Sequence, residues 1–161
     1  MLLGSGCMVQ DSYDSRQGEK LAWTFLFYDD ADFWNAYDPW EDFIPRMYST
    51  ENLHVLVLRD TGEPDGGIYH VNPDQSTRMI KEVRNINMGD PQTLMDFVYY
   101  GKKYYPADRY ILAFYDHGGG FDGCCVDAGH KDRLRMFEIR QALEYSGCVD
   151  AMLFTAPCYM G

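Results

Sequence analysis

Four apolar runs of strand length constrain this chain more than any other feature. They are Lys20 to Tyr28 (KLAWTFLFY), Leu53 to Leu58 (LHVLVL), Tyr110 to Asp116 (YILAFYD) and Val149 to Ala156 (VDAMLFTA). The first is near-continuously apolar, of the kind that needs cover on both faces, and the third reads as buried too. The segments between them supply it. Ala36 to Tyr48 gathers Trp40, Phe43, Ile44 and Met47 on one helical face, with Pro39 in the first turn and Pro45 placed to kink or end it early. A second helix follows Asn87–Asp90, takes Pro91 in its first turn and runs to about Tyr104. A third is expected over Leu134 to Tyr145 (LRMFEIRQALEY), with Gly147 as its C-cap. Gly66 to Val71 and Thr77 to Val83 read as the arms of a small hairpin-like excursion. This alternation predicts a mostly parallel sheet with right-handed crossovers in a three-layer α/β domain over residues 20–161, after an exposed polar leader at 1–19. Gly118 to Arg133 has no periodicity and reads as a loop.

Length and composition narrow the function classes. A chain of 161 residues fits one domain, and 46% apolar with 16% aromatic residues excludes a disordered chain. A formal net charge of −11 with no basic stripe argues against a nucleic-acid partner. No apolar run approaches the roughly 20 residues of a membrane-spanning helix. The opening Met1-Leu2-Leu3-Gly4-Ser5-Gly6-Cys7 resembles the tail of a bacterial lipoprotein signal that lacks its charged region and most of its apolar region. Either it is the remnant of a longer signal, with Cys7 lipidated and attached to a membrane, or it is a disordered start. Asp29, Asp30 and Asp32 close the first strand and read as solvated caps of the next helix, with a cation site as the alternative. His54 and His70 fall inside strands and read as packed side chains.

Two strand ends carry the chemistry. The third run delivers His117 onto Gly118-Gly119-Gly120, and the fourth ends in Pro157-Cys158. Parallel α/β sheets collect ligands at the carboxyl ends of their strands, so a His and a Cys on neighbouring strands would meet there. His117 would deprotonate Cys158 and later protonate a leaving amine. Gly118 has no side chain to block its amide, as an oxyanion-hole donor requires, and the amide of Cys158 would be the second donor. Five cysteines leave room for a free thiol, and adjacent Cys124-Cys125 cannot form an ordinary unstrained bridge with each other.

These residues carry a resemblance. ILAFYDHGGGFDG resembles the histidine motif of the clostripain-like cysteine peptidases, and VDAMLFTAPCYMG resembles their cysteine motif. AWTFLFYDDAD and MFEIRQAL are similar to the family's first strand and to the helix between the two motifs, so that the likeness covers about residues 20–161. The resemblance implies a caspase-like sheet of the clan shared with caspases, legumains and gingipains. It also implies hydrolysis of peptide bonds, often after Arg or Lys, through a Cys–His dyad with Cys158 as nucleophile and His117 as base. No cofactor is required by that chemistry, although calcium is implied by the family. Protein or peptide substrates are implied, and export to the cell envelope or outside the bacterium is expected.

Two departures shape the expectation. The motif's Asp and Ala before the nucleophile are Ala156 and Pro157 here, which removes a carboxylate partner for a basic P1 side chain. The sequence also ends at Gly161, so it is expected to be the N-terminal portion of a catalytic domain whose C-terminal half completes the sheet. A catalytically silent caspase-like binding module is the alternative. A flavodoxin-like phosphate binder is disfavoured, because the glycine turn lacks both Gly-x-Gly-x-x-Gly and Walker spacing.

Overall fold

The computed structural model describes residues 21–31, 39–62 and 66–155. The leader, Cys7, Asp32, Ala156, Pro157 and Cys158 lie outside them. The described strands are β1 (Trp23–Asp30), β2 (Leu53–Asp60), β3 (Gly67–Val71), β4 (Thr77–Glu82), β5 (Arg109–Tyr115), β6 (Cys124–Asp127), β7 (Asp132–Leu134) and β8 (Ala151–Phe154). The described helices are α1 (Pro39–Asp42), α2 (Pro91–Tyr104) and α3 (Met136–Ser146), with 3-10 turns at Ile44–Arg46 and Gly120–Asp122.

Six strands form one sheet in the order β4-β3-β2-β1-β5-β8. β2, β1, β5 and β8 are mutually parallel, and β3 and β4 add the antiparallel hairpin. Three of the apolar runs thus became β1, β2 and β5, whose two faces are buried against different partners, whereas β8 is parallel but leaves Ala151, Met152 and Leu153 exposed at the edge of the described sheet. Leu26, Tyr28, Leu56, Leu112 and Phe114 face α2 and α3, against Leu94, Phe97, Ile139 and Leu143. Phe27, Val55, Val57 and Ala113 face the other way, towards Ile44, Trp40 and Met47. Each fully buried Leu or Phe contributes about 1.5–3 kcal/mol on a simple transfer scale. Tyr28 also satisfies its hydroxyl, which donates to Met88 O at 3.0 Å.

Local chemistry sets the helix positions. Asp90 caps α2 by accepting Gln92 N–H at 2.8 Å, and Pro91 needs no partner at the first turn. Gly101 lets α2 lie directly on the sheet, since a Cβ there would sit 2.6 Å from Leu26 Cδ2. Glu138 accepts Arg135 N–H at 2.8 Å at the start of α3, and Gly147 ends it with φ of +90°.

Four expectations need correction. The helix expected over residues 36–48 is, in its described part, one turn of α1 and one 3-10 turn, because Pro45 stops propagation. The third helix starts at Met136, since Leu134 belongs to β7. The loop at 118–133 contains the β6–β7 ribbon, whose arms of four and three residues are too short to show a period. Finally, Asp29 and Asp30 are not solvated caps: β1 continues through both, and both are fully buried.

Candidate active site

Because β1, β2 and β5 are parallel, their carboxyl ends share one rim. Asp29 and Asp30, Arg59 and Asp60, and Tyr115 and Asp116 lie there and are all buried. Register places Asp29 opposite Arg59 across β1 and β2. Arg59 Nη1 donates to Asp29 Oδ2 at 3.0 Å, and its guanidinium lies 4.7 Å from the centre of the Trp40 ring. A buried carboxylate next to a buried, stacked guanidinium is compensated charge, which is why β1 can end in acids without exposing them. Among the described residues, no group of three or more His, Cys, Asp and Glu side chains is arranged to hold a metal ion.

His117 is exposed at this rim, two residues beyond β5. Asp116, just before it, is buried and accepts the Val126 N–H of β6 at 2.5 Å. The Cys125 N–H donates to the carbonyl of His117 at 3.2 Å. The histidine is therefore held from below by the first residues of β6, through a carboxylate on one side and its own carbonyl on the other.

The glycine turn closes on the same ribbon. Gly118 and Cys124 form an antiparallel bridge, and the bonds around it run from Gly119 N–H to Gly123 O (2.9 Å) and from Cys125 N–H to His117 O (3.2 Å). Those two bonds make Gly118–Cys124 the non-hydrogen-bonded kind of antiparallel pair, so the pairing does not use the Gly118 N–H. Gly123 has φ of +110°, and a Cβ on it would approach Arg135 Cα to 2.7 Å. The turn thus passes tightly over the β7–α3 junction.

β8 is fixed beside β5 at both ends. Asp150 accepts Tyr110 N–H at 2.8 Å and Arg109 Nη1–H at 3.1 Å where the pair begins. At the rim, Thr155 N–H and Oγ–H both donate to Phe114 O, at 3.0 and 2.9 Å, and the Phe114 and Phe154 rings stack 5.2 Å apart. The strand that leads to His117 and the strand whose sequence continues to Cys158 are thus parallel neighbours in locked register. Cys158 itself lies outside the described residues.

The other cysteines differ in state. Cys124 and Cys125 are free and fully buried, and Cys148 is disulfide-bonded. Burial, with the adjacent Cys124 thiol and then Asp30 and Asp116 adding to it, holds the Cys125 thiol well above its ordinary range. It is a packed thiol under the histidine loop. Sequence reasoning passed over Asp116 and Arg59. The available signals were an acid directly before the strand-end His, and Arg59-Asp60 ending β2 level with Asp29-Asp30.

Residues 35–161 match the Clostripain family of C11 peptidases. The chain belongs to the clostripain family. It is 38% identical to clostripain of Hathewaya histolytica over 97% of its own length, which is 31% of the length of that relative. The fold is similar to that of a secreted C11 cysteine protease from Bacteroides thetaiotaomicron in complex with an irreversible peptide inhibitor, at a TM-score of 0.74 and 24% identity. That match covers 88% of this chain and 44% of the solved one. An inactive zymogen C11 protease from Parabacteroides distasonis matches at a TM-score of 0.61 and 21% identity, again over 88% and 44%. The clostripain-family chain therefore spans about a third of the curated relative it matches and under half of these solved relatives. Its α/β sheet with flanking helices is the caspase-like fold of the C11 proteases.

Proposed function

We propose that this chain supplies the nucleophile and base of a cysteine endopeptidase, with Cys158 and His117 in those roles. The observation that carries the reading is the locked parallel pairing of β5 with β8. It sets two strands side by side, one leading to His117 and the other continuing in sequence to Cys158. His117 takes the Sγ proton of Cys158, and the thiolate attacks the scissile carbonyl carbon. The C=O electron pair moves to oxygen, where the N–H groups of Gly118 and Cys158 stabilise the charge. Collapse breaks the C–N bond, and the imidazolium gives its proton to the leaving amine. Water, deprotonated by His117, then cleaves the thioester and returns the acid and the free thiol. These steps use no cofactor, and the calcium implied by the family has no part in them.

The substrate is a protein or peptide. Ala156 leaves no carboxylate at the motif position that would pair with Arg or Lys, so the proposal includes no preference for a basic P1 residue. Export to the cell envelope or outside the cell is part of the proposal. It is supported by the relative described as secreted. The rest of the catalytic domain completes the sheet beyond β8, the outermost described strand on that side. The second reading, a silent caspase-like binding module, is favoured by the replacement of Asp-Ala with Ala156-Pro157, because proline removes an amide and constrains the turn before the nucleophile.

Trapping separates the two readings. The complete gene product is incubated with peptidyl electrophiles varied at P1, and its intact mass is measured. A single adduct that maps to Cys158 and is absent from Cys158→Ala supports the peptidase. A folded protein with no adduct from any electrophile supports the silent module.

A further inference from the structure

Phe121 is a fully exposed aromatic side chain, at 101% of its reference area, four residues after His117. Its position is built. It sits at the tip of the 3-10 turn Gly120–Asp122, which closes through Asp122 N–H to Gly119 O (3.3 Å) and Gly123 N–H to Gly120 O (3.1 Å). The turn is in turn pinned over residues 134–135 by Gly123. Phe137, in the first turn of α3, is 60% exposed, and both rings line one open cavity of about 830 Å³. Three acids (Asp122, Asp127, Asp132) and three bases (Lys131, Arg133, Arg135) line it too, so its formal charges balance and the two rings are its large apolar groups.

The chemistry proposed for His117 gives this cavity a direction. The group that protonates the leaving amine must stand beside the leaving nitrogen, so the peptide on that side departs past the histidine loop. An extended peptide advances about 3.3 Å per residue, so its first few side chains span the reach of a tight four-residue turn. Large exposed apolar surface on a hydrogen-bonded turn that follows the proposed base closely in the chain marks a place where something apolar docks.

We propose that Phe121, with Phe137, forms a binding site for an apolar side chain within the first three residues of the leaving peptide, and so determines specificity on the primed side. The proposal rests on the Cys–His reading for its direction. Phe121 touches no reacting atom in it.

The test uses the complete gene product and three substrates that share one acyl side. Two are internally quenched peptides with Leu-Phe or Gly-Ser after the scissile bond, and the third is an aminocoumarin amide with no leaving peptide. For Phe121→Ala, kcat/KM on the Leu-Phe substrate is expected to fall about tenfold, with the aminocoumarin amide unchanged and Phe121→Leu intermediate. An equal loss on all three substrates would show that Phe121 packs against the rest of the protein, and no loss on any would show an idle ring. Either result overturns the proposal. A second measurement does not depend on the dyad: the peptide Ala-Leu-Phe-Gly, labelled at its carboxyl end, is titrated against wild type and Phe121→Ala by fluorescence anisotropy. Affinity is expected to drop about tenfold in the variant, and equal affinity, or no binding to either, would overturn the proposal even in a protein that hydrolyses nothing. Binding that is lost in the variant, in a protein without hydrolysis, would instead overturn only the dyad.

Discussion

Gly118 faces Cys124 across an antiparallel bridge whose two hydrogen bonds belong to their neighbours, Gly119 and Cys125. The consequence is an amide next to His117 that the ribbon holds in place without using. An oxyanion donor needs both properties, since a mobile amide must be reordered in the transition state and an engaged one must be detached.

The bridge depends on Gly123. Its φ of +110° is disfavoured for residues with a side chain, and an added Cβ would meet Arg135 Cα at 2.7 Å. Gly123→Ala is expected to cost about 1–3 kcal/mol, read as a lower urea midpoint, and to slow thiol labelling at the site. An unchanged midpoint would show that the turn has room to relax.

Arg59 is expected to matter more than its lack of a catalytic role suggests. Arg59→Met leaves the buried Asp29 without its guanidinium and should destabilise the protein by about 3 kcal/mol. Adding Asp29→Asn should recover part of that loss. Additive single costs in the double-mutant cycle would mean that the two groups do not interact energetically.

The acidic end of β1 also shows where the sequence was legible. β1, β2 and β5 announced themselves because burial on both faces writes hydrophobicity at nearly every position, and α2 because Asp90-Pro91 is a start signal that needs no tertiary context. The buried Asp29 was not legible from its own segment. Its compensation comes from Arg59, set opposite it by the β1–β2 register, and a linear reading that stops each strand at its first charge misses the match. β6 and β7 were missed for a related reason. Their arms are held by Asp116, by the His117 carbonyl and by Gly123, contacts that depend on where β5 ends. For the candidate site, the sequence offered His117, Gly118 and Cys158 as residue types at strand ends. The Asp116 anchor and the exposed Phe121 emerge only from the fold.

The vicinal cysteines should be chemically silent. With both thiols fully buried and that of Cys125 pushed well up by burial, iodoacetamide at neutral pH is expected to leave Cys124 and Cys125 unmodified in the native protein. Both should react once guanidinium is added. Peptide mapping reads the difference, and native modification at either position would contradict the packing described here.

His54 gives the fold an acid sensitivity. Burial, with the nearby His70 adding to it, holds its imidazole below the ordinary 6.5, and among the described residues its Nδ1 has no hydrogen-bond partner. The unfolded chain therefore takes up a proton near 6.5 while the folded chain still resists it. The sign follows: stability falls as pH drops below that value, and this residue has no effect above it. His54→Phe, which keeps a ring against Tyr105, is expected to flatten the loss of Tm between about pH 7 and pH 5. Parallel Tm profiles for the two proteins would show that other groups set the acid limit.

The central claim is that His117 activates Cys158. The direct measurement is the second-order rate at which a peptidyl electrophile labels Cys158 in the complete gene product, for wild type and for His117→Ala at the same pH. The dyad predicts a rate at least about 100-fold lower in the variant, with the fold intact by circular dichroism. Equal rates in the two proteins would contradict it, and would make Cys158 an ordinary thiol on a clostripain-family fold.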